Sequence, residues 1–113
     1  MNVGVLCTFN QARSPFGAAI LKTLCPNWNV WSAGLTPKEG SQISDLAITV
    51  ANKWGLEICK GKCHSLENRR ESLQSCDLII STEPISRELL SSMGFRGEII
   101  IIDSNLFHSD ILP

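Results

Sequence analysis

Cys7 and Arg13 stand six positions apart in the segment Cys7-Thr8-Phe9-Asn10-Gln11-Ala12-Arg13-Ser14-Pro15. A thiol and a guanidinium at that spacing suit the handling of phosphate, provided the chain folds them around one point. The guanidinium offers a two-pronged fork to two oxygens of an oxyanion. The thiol is a nucleophile only as its thiolate, and a field that attracts phosphate also favours the thiolate. Taken alone, the pair reads equally well as a small buried cysteine and a solvated arginine. The local context decides between them.

Residues 2–7 form a short apolar run that reads as a buried strand, and a helix is expected over 16–24. Ser14 is expected as its N-cap, with Pro15 at the first helical position. A loop running from a strand into a helix N-terminus gathers several backbone N–H groups, and the helix dipole adds partial positive charge. The amides of Thr8, Phe9, Asn10, Gln11, Ala12, Arg13 and Ser14 would then encircle an anion, with Cys7 beneath it. Asn10 suits the left-handed turn such a loop requires. Further along, 29–32 reads as a second strand, and Ile43, Leu46, Ala47, Val50, Ala51 and Trp54 recur at helical spacing until Gly55. A short helix over 65–75, a strand over 77–81, a helix over 84–93 closed by Gly94, and a strand over 98–102 complete the pattern. Strands alternating with helices predict a parallel sheet in an α/β fold.

Composition narrows the partners. The 113 residues carry 10 basic and 11 acidic side chains, a net charge of −1, which gives no reason to expect nucleic acid or an anionic membrane. One domain, residues 1–113, suits this length, and no repeat or linker divides it. The longest apolar run, 99–102, is far short of a bilayer span, and the start lacks the basic and apolar regions of a secretory signal. Five cysteines, an odd count, suggest free thiols in a cytoplasmic protein rather than a disulfide framework.

The first loop, C-x5-R-S-P after an N-terminal strand, resembles the signature of the low-molecular-weight protein tyrosine phosphatases. Ser32-Ala33-Gly34, then Gly40, Ala47 and Gly55, the strand Asp77-Leu78-Ile79-Ile80 and the acidic Glu83 are similar to later features of that family. The resemblance implies a four-stranded parallel sheet of order 2-1-3-4 in a flavodoxin-like three-layer sandwich. It implies hydrolysis of a phosphomonoester, on a phosphorylated protein or a small aryl phosphate, through a phospho-cysteine and without a metal or cofactor. Cys7 would be the nucleophile and Arg13 the phosphoryl clamp. Ser14 would steady the thiolate and Asn10 the shape of the loop.

Departures from that pattern carry their own expectations. Phe9 stands where the family has glycine, so a positive φ there would strain the loop. Ala12 replaces a cysteine that can guard the nucleophile, and Lys38 occupies the place of an aromatic wall. The family's general acid lies in an Asp-Pro pair after the fourth strand, followed by a last helix. Here Asp110, or a residue beyond Pro113, is the candidate acid, and the chain reads as C-terminally truncated. Loss of that helix would leave one sheet face incompletely covered and open to self-association.

Other readings compete. Without turnover, the loop would make a phosphate- or phosphoprotein-binding module; with a thiol relay, an arsenate reductase, although 81–90 contains no cysteine. Cys59-x3-Cys63-His64 invites zinc but lacks a second matching pair. Lys60, Lys62, Arg69 and Arg70, interleaved with Glu67 and Glu71, read as a solvated face or as a docking surface for an acidic phosphoprotein. Trp28, Trp31 and Trp54 are expected in the core.

Overall fold

Strand β1 (Asn2–Cys7) is buried from Val3 to Cys7, as a strand covered on both faces must be. In the computed structural model, which describes residues 1–38, 40–58 and 60–102, it lies at the centre of a four-stranded parallel sheet of order β2-β1-β3-β4. Its neighbours are β2 (Asn29–Gly34) and β3 (Leu78–Ser81), and β4 (Glu98–Ile101) forms the edge beyond β3. The register sets Cys7 opposite Gly34 and Leu6 opposite Ser81. The C-terminal ends of three strands therefore meet at one place.

Alternation along the strands divides the core in two. Val3, Val5 and Val30 pack with Ala18 of α1 (Arg13–Leu24) on one face. Leu6, Trp31, Ala33 and Ile79 face the other way, towards Leu73 of α3 (Arg70–Gln74) and Leu90 of α4 (Ser86–Ser92). Gly4 makes room for this second layer, since a Cβ there would lie 2.5 Å from the Trp31 indole. Helix α2 (Asp45–Lys53) lies against the flank of α1, where Ala51 joins Ala19 and Ile58 in a third cluster. On the α1 side of the sheet Leu78 and Ile80 are half-buried and Ile100 is 48% exposed, so helix cover there is incomplete among the described residues.

Several local expectations are corrected. The first helix begins at Arg13, capped by Ala12 with no side-chain bond, and Ser14 is not its N-cap. The Ser14 hydroxyl is turned into the site and is fully buried. Trp54 is 76% exposed rather than in the core. As the C-cap of α2 it has left helical geometry before Gly55 (φ +71) turns the chain, so it no longer follows the stripe set by Ala47 and Ala51. The 65–75 region forms a 3₁₀ turn, Glu67–Arg69, that runs into the short α3. Trp31 is buried and Trp28 half-buried, as core residues.

Candidate active site

The loop between β1 and α1 emerges at the C-terminal edge of the sheet, between β2 on one side and β3 on the other. In open α/β sheets this switch point is where ligands settle. Helix α1 arrives there with no side-chain cap and no acidic residue in its first turn. Its positive end is therefore left for an external anion. Among the described residues, no acceptor meets the N–H of Phe9, Gln11 or Ala12. Unpaired donors converging on a helix start are what an oxyanion requires.

Asn10 fixes the shape of this loop. It alone among the described non-glycine residues has a positive φ, +57°, a conformation asparagine tolerates. Its side chain is fully buried and fully bonded. Nδ2 donates to Ser14 Oγ at 2.7 Å and to Ser32 Oγ at 3.0 Å, while Oδ1 accepts the His64 backbone N–H at 2.8 Å. The strain expected at Phe9 does not arise, because the left-handed residue is Asn10; Phe9 is 43% exposed at the mouth.

Cys7 sits under this arch, buried, with Sγ 3.0 Å from Ser14 Oγ. The Asn10 backbone N–H donates to the same sulfur at 3.2 Å. In the first contact the thiol donates to the Ser14 hydroxyl, which itself donates to Ala33 O at 3.4 Å; in the second the sulfur accepts from the main chain. Gly34 holds the loop from the β2 side. A Cβ there would meet Phe9 C at 2.8 Å and Asn10 N at 2.9 Å, so only glycine admits so close an approach. Leu35 and Thr36 then donate to the carbonyls of Cys7 and Thr8, and Ser44 donates to that of Gln11.

From the β3 side comes Glu83. Thr8 Oγ1 donates to its Oε1 at 2.6 Å, and Arg13 Nη2 lies 3.4 Å from the same oxygen. The pair anchors one prong of the guanidinium at the rim, where the Arg13 side chain is 43% exposed. His64 contributes through its backbone, and its imidazole titrates below the ordinary histidine range because of partial burial and the nearby charge of Arg69.

The sequence-expected residues from Cys7 to Ser14 thus lie together on one turn between the end of β1 and the start of α1. Ser32, Gly34 and His64 acquire structural roles that the sequence did not assign. Two of these are backbone roles, an N–H at His64 and a missing Cβ at Gly34, and neither leaves a residue-type signature of its own. Lys38 is exposed. Cys59, part of the zinc reading, and Asp110, a candidate acid, lie outside the described residues.

A parallel α/β sheet whose central strand ends in a cysteine cradled at an uncapped helix start defines a cysteine-dependent phosphatase. Residues 2–105 match the family model of low molecular weight phosphotyrosine protein phosphatases, and the chain belongs to that family. It is 32% identical over 102 residues to the low molecular weight protein-tyrosine-phosphatase Wzb of Escherichia coli K12, covering 88% of this chain and 68% of that one. The tyrosine phosphatase AmsI of Erwinia amylovora superposes with a TM-score of 0.74 at 28% identity, over 88% of this chain and 66% of the other. Vibrio vulnificus Wzb, in complex with benzylphosphonate, gives 0.71 at 25%, over 87% and 70%.

Proposed function

We propose that the chain hydrolyses phosphomonoesters of tyrosine in proteins, or small aryl phosphates, through a phospho-cysteine at Cys7. The observation that carries this reading is a buried Cys7 sulfur at the foot of a loop whose amides are unpaired and whose far end carries Arg13. In the first step the thiolate attacks phosphorus, the S–P bond forms and the bond to the leaving oxygen breaks. The amides and Arg13 stabilise the equatorial oxygens as charge spreads over them. Ser14 donates its hydroxyl hydrogen to the sulfur as a thiolate and, in the second step, as a leaving group. Water then attacks phosphorus, releasing phosphate and restoring the thiolate.

The bound benzylphosphonate of the Vibrio relative, an aromatic group joined to a phosphoryl mimic, supports the aryl preference. Asp110 remains the candidate for protonating the leaving oxygen. Turnover of p-nitrophenyl phosphate tests the reading: wild type is expected to exceed Cys7→Ser by about 10⁴-fold or more, as for an essential nucleophile. Equal rates would overturn it. A cytoplasmic setting fits an odd count of five cysteines, of which Cys7, Cys25, Cys63 and Cys76 are free thiols. Self-association would use the sheet face around Ile100, and light scattering showing a monomer at micromolar concentration would remove it.

A further inference from the structure

A concavity lies between α1, β2 and the segment before His64. It is a cleft of about 290 Å³ that includes neither Cys7 nor Arg13. Its floor is apolar, formed by Ala18, Ala19, Ile43 and Ile58. Its rim is cationic, with Lys22, Lys60 and Lys62 against the single carboxylate of Glu57. None of these lysines is in an ion pair among the described residues, where the two pairs are Arg13–Glu83 and Arg70–Glu67. An apolar floor under uncompensated positive charge is complementary to one ligand chemistry: a small organic anion with a ring or short chain as its body.

The wall of the cleft is also the wall of the loop. Ser32 and His64 line it, and these two residues hold Asn10, one through Oγ at 3.0 Å and the other through its N–H at 2.8 Å. Pro15, the third residue of α1, lines it as well. We propose that this cleft is an effector site for a small organic anion, and that occupancy there tightens oxyanion binding in the Cys7 loop. A ligand seated against Ser32 and His64 restrains the two partners of Asn10. The left-handed turn is then held in place before the oxyanion arrives, and less ordering is left for that step. Linkage makes the effect reciprocal. Only this coupling rests on the phosphatase reading; binding in the cleft does not.

The experiment is a ¹H–¹⁵N titration of the chain with 2-naphthoate, with and without saturating orthovanadate on the loop. Naphthoate is expected to shift the amides of Lys22, Ile58 and Gly61 in both conditions. Its neutral analogue 2-naphthamide, and the Lys22→Glu/Lys60→Glu variant with naphthoate, are each expected to bind about tenfold more weakly or worse. Vanadate affinity should rise about fivefold when naphthoate is saturating. Shifts confined to residues 7–14 and abolished by vanadate would place naphthoate in the catalytic loop and overturn the site. Equal binding of the amide would overturn its preference for anions, and an unchanged vanadate affinity would overturn the coupling. If vanadate binds nowhere, the phosphatase reading and the coupling fail together, while the naphthoate shifts still decide the cleft.

Discussion

Arg13 and Glu83 pose the sharpest question at the scale of single residues. The guanidinium is the loop's one cation, and only its Nη2 is engaged, by Thr8 Oγ1 at 3.3 Å and Glu83 Oε1 at 3.4 Å, which leaves its other N–H groups for a bound anion. With both side chains partly exposed, this ion pair adds little stability, so its value lies in orientation. Lysine at position 13 would keep the charge and lose the planar fork, along with any grip on two oxygens at once. Arg13→Lys is therefore expected to lower kcat for p-nitrophenyl phosphate by about 10²-fold, the scale of removing one preorganised donor from an oxyanion. Thermal stability should stay near wild type. A variant with unchanged kcat would assign the equatorial oxygens to the amides alone.

At the scale of elements, the loop depends on what β2 lacks as much as on what β1 supplies. Gly34 ends β2 directly behind the loop, and its missing side chain is filled by the backbone of Phe9 and Asn10. Gly34→Ala is expected to cost about 1–3 kcal/mol, typical of overpacking, and to weaken phosphate binding more than it weakens the fold. Differential scanning calorimetry and a phosphate titration separate the two effects. Loss of stability with phosphate affinity intact would mean that β2 yields and the loop does not. This placement also marks where sequence reading succeeds and where it stops. The strand-loop-helix around Cys7 was legible because apolar run, Asn10 and Ser-Pro are local signals. The sheet order came from the resemblance. The start of α1 was displaced because Ser14, a good capping residue in isolation, is held by a tertiary partner, the Cys7 sulfur. His64 stands out in the sequence only as the end of a zinc-like pattern that lacks its second pair, and its structural bond is made by the main chain, which the amino-acid alphabet does not encode.

At the scale of the whole molecule, two titrating groups border opposite limbs of the pH range. Cys76 is buried against the α3 and α4 side of the sheet, its thiol donating to Leu78 O at 3.1 Å. Burial pushes that thiol up, the Leu78 and Gly4 backbone partly offsets this, and Asp77 adds to the rise. The unfolded chain therefore releases the Cys76 proton first as pH rises. The stability held by the neutral thiol is complete below the ordinary cysteine value of about 8.5 and is lost as pH climbs through the higher folded value. His64 has the opposite sign. Partial burial and Arg69 lower it, so the unfolded chain takes up the proton first as pH falls. Stability is then intact above the ordinary histidine value of about 6.5 and declines as pH drops towards the folded value. The Tm is expected to be flat between about pH 7 and 8 and to fall on both sides. Cys76→Val should flatten the alkaline limb alone, and His64→Asn, which keeps the main-chain N–H, the acid limb alone. Parallel curves for wild type and both variants would move the pH dependence to the carboxylates and lysines of the surface.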